Sequence, residues 1–233
     1  MAQSRTILLV SLAIVALQFA LVSKASAQAE LSLSQGTSSI LVTDNGPGDT
    51  NLTLGAITFN GSVGSFTGTF SSGTTKPLNG SAIQPQLSLV STDLTTSQGG
   101  LLTILFGDTD FGPVPNGAVS AHIGGTSGGQ VSYLTFLDAS NASLALTTSL
   151  THQDGLGGAT FDSNFNGNTA FGLGTSLTQK ITVTQEAGSV TGLNSTLRIT
   201  NALVTPDSGS AIALLAGALC ALEGIRRRFH TIS

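Results

Sequence analysis

Between residues 30 and 204 the chain is interrupted by Gly, Asn, Asp and Ser every 8 to 12 residues or so, and the stretches between these breaks are too short for helices. Apolar, β-branched and aromatic residues recur there at alternate positions, the pattern of half-buried strands closed by tight turns. LSLS (31–34), AITFNGSVGSFTGTF (56–70), PQLSLVST (85–92), VSYLTFLD (131–138), QKITVTQE (179–186) and STLRITNAL (195–203) all alternate in this way. LLTILF at 101–106 is continuous, which predicts a central strand covered on both faces. Asn45-Gly46, Asn60-Gly61, Asn79-Gly80 and Asn116-Gly117 tolerate positive φ and predict hairpin turns. The stretch 154–176, DGLGGATFDSNFNGNTAFGLGTS, is richer in Gly and Asn than its surroundings and reads as a long loop or irregular edge. The expected fold class is all-β: an antiparallel, jelly-roll-like β-sandwich over residues 28–204, with an N-terminal signal helix and a single C-terminal hydrophobic helix.

Charge narrows the function. Only 9% of residues are charged, against about a quarter in ordinary soluble domains. Arg5 and Lys24 lie near the N-terminus and Arg226, Arg227 and Arg228 near the C-terminus, so residues 28–205 hold three basic residues against ten acidic ones, a net charge of −7. Nucleic-acid binding needs a basic face to neutralise phosphates, and none can be assembled. The single Cys220 allows no intrachain disulfide, and no pattern calls for a cofactor. With no Trp and one Tyr, the chain must use its Phe residues mainly for core, which counts against an aromatic sugar platform.

The two ends carry targeting chemistry. Arg5 precedes an apolar run from Ile7 to Val22, followed by small residues at Ala25, Ala27 and Ala29 that offer two overlapping cleavage sites. This is a secretory signal peptide over 1–27, read by the general secretion machinery and signal peptidase. Near the other end, residues 210–225 would form a helix about 24 Å long at 1.5 Å per residue. A bilayer core is about 30 Å thick. The helix is short for a permanent span, and Glu223 adds a desolvation cost bearable only at the interface. Arg226–Arg228 would hold that end on the cytoplasmic side.

Pro206-Asp207-Ser208-Gly209, then an apolar helix, then Arg226-Arg227-Arg228 resembles the C-terminal sorting domain of the PEP-CTERM class, in its VPDSG variant. In that variant Val usually stands directly before Pro, whereas Thr205 separates Val204 from Pro206 here. The resemblance implies that residues 205–233 are a temporary retention signal. An exosortase-type cysteine transpeptidase would cut near Pro206–Gly209 and pass the body from the inner membrane to the cell surface or an exopolysaccharide matrix.

Candidate chemistry in the body is sparse. Asp162, Asn164 and Asn166, followed by Gly167, match the first half of a calcium loop, with oxygen ligands on alternate residues and Gly at the sharp turn. The twelfth position, where a bidentate Glu belongs, is Leu173. Asp108 and Asp110 are two apart in a strand and would face the same way, so they could share a cation or flank a glycosidic bond. Asp44 and Asp49 form a further acidic pair, and His122 and His152 lack any partner motif. The function expected is that of a secreted, non-enzymatic surface or matrix protein. The alternative is a carbohydrate-binding or calcium-dependent adhesion module using loops near 108–110 and 154–176.

Overall fold

The computed structural model describes residues 29–201. The expected signal helix at 1–27 and the sorting region at 205–233 lie outside the described residues. Eleven strands run in chain order among them: β1 (Glu30–Gln35), β2 (Ser38–Thr43), β3 (Ala56–Val63), β4 (Phe66–Thr74), β5 (Gly80–Ser81), β6 (Gln84–Thr96), β7 (Gly100–Phe111), β8 (Val114–Asp138), β9 (Thr148–Phe171), β10 (Thr175–Gln185) and β11 (Val190–Asn201). Period-two patterning decides their faces. In β1 the leucines at 31 and 33 are fully buried while Ser32 and Ser34 stay half exposed.

Neighbouring strands pair antiparallel in the order β2-β1-β7-β10-β8-β11-β6-β4-β3, with β5 on β6 and β9 on β8. The long β8 divides this order into two sheets. Gly117–Ser127 pair with β11, whereas Gln130–Asp138 pair with β10. β9 accompanies both halves, and the β8–β9 register shifts between Gly125 and Ser127 and again between Ser127 and Gln130. Such bulges bend a strand and sharpen its twist. The bend falls in Gly124-Gly125-Thr126-Ser127-Gly128-Gly129, and two of these glycines are sterically required. A Cβ on Gly125 would stand 2.1 Å from the Gly192 carbonyl oxygen of β11, and one on Gly129 would stand 1.9 Å from the Thr184 carbonyl oxygen of β10.

The inward faces of the two sheets share one core, built from Leu31, Leu102, Phe106, Tyr133 and Ile181 on one side and Leu87, Leu89, Ile123, Leu197 and Ile199 on the other. Some polar groups inside it pair across the sandwich. Gln179 of β10 accepts hydrogen bonds from the Tyr133 hydroxyl (2.9 Å) and from Ser195 of β11 (2.7 Å). Burial pushes the Tyr133 hydroxyl well above the usual tyrosine range, so it stays a donor. Gln185 donates to Thr191 of β11 (2.7 Å), whose hydroxyl also meets Ser127 at the bend (2.8 Å).

The all-β, antiparallel reading is correct, and several details differ. Of the two readings of 154–176, a long loop or an irregular edge, the structure shows the edge: the stretch is for the most part β9, an edge strand whose register with β8 shifts repeatedly. Asn60-Gly61 lies inside β3, paired with Thr69 and Gly68 of β4, and Asn116-Gly117 lies inside β8, where Gly117 pairs with Asn201 of β11, so neither makes a turn. β7 alternates instead of being covered on both faces: Leu102, Ile104 and Phe106 are buried, but Leu101 is 51% exposed. Gly129→Ala is expected to cost about 1–3 kcal/mol, since a backbone carbonyl must move to admit the methyl. Gly172→Ala, with nothing within 4 Å of the new Cβ, should change the urea midpoint by no more than about 0.5 kcal/mol equivalent.

Candidate functional site

The candidate carboxylates gather where β7 ends, and the backbone there separates Asp108 from Asp110. Asp108 is fully buried. Its Oδ2 accepts from Lys76 Nζ (3.0 Å) and from the Thr75 hydroxyl (2.8 Å), and its Oδ1 accepts from the Thr109 amide (2.7 Å). Lys76 is itself buried, donates to the Thr109 carbonyl at 2.6 Å, and lies 4.5 Å from the centre of the Phe111 ring. Asp110 has φ of 60°, which breaks the strand alternation and turns it to solvent. There it trades two hydrogen bonds with Asn141, accepting from Nδ2 (2.7 Å) and donating its amide to Oδ1 (2.8 Å). The expectation that Asp108 and Asp110 share one face is therefore overturned, and with it the geometry of a carboxylate pair around a glycosidic bond.

Asp44 and Asp49 hold the connection between β2 and β3. Asp49 accepts from the amides of Asn45, Asn51 and Thr58, and Asp44 accepts from the amide of Gly55 (2.8 Å). Burial raises the Asp44 carboxyl above the ordinary range, the Gly55 hydrogen bond works against that, and the like charges of Asp49 and Asp108 add to it. Asp138, where β8 leaves its sheet, shows the opposite effect. Ser140, the Ala142 amide and Thr147 all donate to its carboxylate and hold it below the usual range.

Asp162, Asn164 and Asn166 stand on alternate positions of β9, outward and exposed. A calcium loop must curl its ligands round one ion, whereas side chains at alternate positions of an extended strand are spread along it at about 3.3 Å per residue. Asp162 instead meets His122 Nε2 on the neighbouring strand at 2.9 Å and accepts from Asn164 Nδ2 at 3.1 Å. His152 pairs with Asp154, likewise on the surface. Among the described residues no group of three or more His, Cys, Asp or Glu is placed to hold a metal ion. Sequence reasoning missed the role of Lys76, whose only signal was that it stood nearly alone as a cation within a Gly- and Thr-rich run.

Ala25 and Ala27 lie outside the described residues, as do Pro206, Asp207, Ser208, Gly209 and Arg226–Arg228. Ala29 is described: it is buried in the core, and its carbonyl accepts the Asp44 amide at 3.0 Å.

Comparison with known proteins decides the C-terminal end. Residues 206–229 match the family model of the VPDSG-CTERM motif. The chain carries a VPDSG-CTERM sorting signal. A VPDSG-CTERM signal supports export to the cell surface. No curated protein matches the chain. Among solved structures, the adhesin domain of Epf from Streptococcus pyogenes is similar at 9% identity and a TM-score of 0.40, covering 76% of this chain and 62% of that one. The K3 cleaved adhesin domain of Lys-gingipain from Porphyromonas gingivalis is similar at 8% identity and a TM-score of 0.33, covering 50% and 73%. A third, TmCBM61 in complex with β-1,4-galactotriose, is similar at 6% identity and a TM-score of 0.22, covering 49% and 69%.

The carboxylates of the body yield two stability predictions. Lys76→Met leaves the Asp108 charge buried without its cation and should destabilise by about 3–5 kcal/mol, while Lys76→Met combined with Asp108→Leu should recover most of that loss in urea titrations. Asp138, with its depressed folded-state pKa, stabilises fully above the ordinary carboxylate pKa of about 3.9 and loses that contribution as pH falls through the lower folded value. Asp138→Asn should accordingly melt below the parent near neutral pH, with the gap closing on acidification.

Proposed function

We propose that this is a secreted, non-enzymatic surface protein whose C-terminal signal is cut by an exosortase-type transpeptidase. In this reading signal peptidase and the general secretion machinery deliver the chain, and the helix at 210–225 holds it in the inner membrane for a time. Cleavage near Pro206–Gly209 then passes the β-sandwich to the cell surface or an exopolysaccharide-bearing matrix. The observation that carries the reading is the ordered set of proline-led motif, apolar run and arginine cluster within the matched residues 206–229. A helix too short to rest comfortably in a bilayer suits a tether meant to be severed.

The fold adds support at both ends. β11 closes at Asn201, five positions before Pro206, so a cut in the motif removes no described strand. At the other end, cleavage after Ala29 would remove a core side chain and a carbonyl that holds Asp44. Cleavage after Ala27 spares both.

Mass spectrometry of the mature protein tests both points. The expected N-terminus is Gln28, and the expected C-terminus lies near 206–209 in cells that hold the transpeptidase. Cells lacking it should keep Arg226–Arg228 on the chain, and the same intact C-terminus in both strains would refute the sorting mechanism.

A further inference from the structure

Three hairpin turns meet at the end of the sandwich where β7 begins, and between them lies a cleft of about 440 Å³ lined by Gln35, Gly36, Thr37, Gly64, Ser65, Ser97 and Gln98. The volume falls within the roughly 300–1,000 Å³ of small-molecule sites. The cleft is held in shape by one side chain. Gln35 accepts the Ser65 amide at 2.6 Å and donates to the Ser65 hydroxyl (2.8 Å) and the Gly99 carbonyl (3.3 Å), so the β1–β2, β3–β4 and β6–β7 turns are tied together. Thr96, buried, extends the network to the Ser65 hydroxyl (2.9 Å) and the Gly99 amide (3.1 Å). A Cβ on Gly64 would stand 2.1 Å from Gln35 Oε1, so glycine is what lets the amide dock.

The lining selects its ligand by what it holds and what it omits. Amides and hydroxyls both donate and accept, and a carboxamide such as that of Gln98 can engage two neighbouring hydroxyls at once. No charged side chain lines the cleft, so an anion or a cation finds no counter-charge there. No aromatic ring lines it either, so a nucleobase or other flat ligand has nothing to stack on. We propose that this cleft binds neutral sugar units through hydrogen bonds to the Gln98, Ser97 and Thr37 side chains, with Gln35 as the positioning residue. The turns are pre-assembled by the Gln35 network, so little ordering cost attends binding. This inference does not depend on how the C-terminus is processed.

Saturation-transfer difference NMR on the full-length chain in a zwitterionic detergent tests it, with glucose, galactose, mannose and their neutral trisaccharides as probes and glucuronate as the anionic comparison. Saturable binding of at least one neutral probe is expected, with glucuronate weaker by tenfold or so. Gln98→Ala, an exposed truncation, should weaken the neutral probe about tenfold through the loss of the carboxamide's hydrogen bonds, and Ser97→Trp should abolish binding by filling the cleft. An unchanged urea midpoint for Gln98→Ala keeps its result independent of folding. Silence from every neutral probe, glucuronate binding as tightly as the neutral sugars, or binding indifferent to both variants would overturn the assignment.

Discussion

The structure depends on how closely backbones approach one another at the bend of β8. At Gly125 and Gly129 the carbonyls of β11 and β10 come within a distance no Cβ could occupy. That approach lets β11 pair with the first half of β8 and β10 with the second, so that one long strand belongs to both sheets. β9 follows β8 round the same bend. The sandwich is consequently closed on one side by a covalently continuous hairpin instead of by loops, and the two inner faces are brought together without a disulfide.

Inside that enclosure the chain keeps polar and charged side chains buried, Lys76, Asp108, Gln179 and Gln185 among them. An isolated buried charge is costly, and a broken buried pair costs more than a well-made one returns. The Lys76–Asp108 pair meets that cost with several hydrogen bonds and an aromatic neighbour, while Gln179 and Gln185 collect hydroxyls from the opposite sheet. These contacts are directional, so they add register specificity between the sheets that leucine packing alone does not supply. A body with so few surface charges needs such internal specificity, because it lacks the abundant charged edges by which β proteins ordinarily discourage mispairing.

How much of this was legible in the sequence differs by residue. The alternations at 31–34, 131–138 and 179–186 became β1, the second half of β8 and β10 because period-two patterning is a local property. For β9 the sequence left a loop and an irregular edge both open, although the strand pattern was present: Phe161, Phe165 and Phe171 sit on odd positions and pack against the core, and Asp162, Asn164, Asn166 and Asn168 sit on even ones and face outward. Gly and Asn content outweighed that parity, since their usual place is in turns, and only the tertiary pairing with β8 overrides it. At Asp110 a single residue at φ of 60° reversed the facing that strand geometry predicts. The cleft could not be read at all. Its walls come from turns that Gln35 joins across 30 and 64 residues of chain, and no local pattern records such a meeting.

Buried core residues extend from Ala29 to Ile199, and both expected processing sites fall outside that span or at its very margin. A domain whose stability resided partly in its termini could not lose them without loosening. Here the last strand completes its pairing with β8 and β6 before the sorting motif begins. The interactions that hold the sandwich, the glycine bend, the shared core and the Lys76–Asp108 pair, all lie within residues 29–201. On the processing proposed above, a cut near Pro206–Gly209 would leave every one of these interactions in the retained body, because each is made between residues that precede the motif.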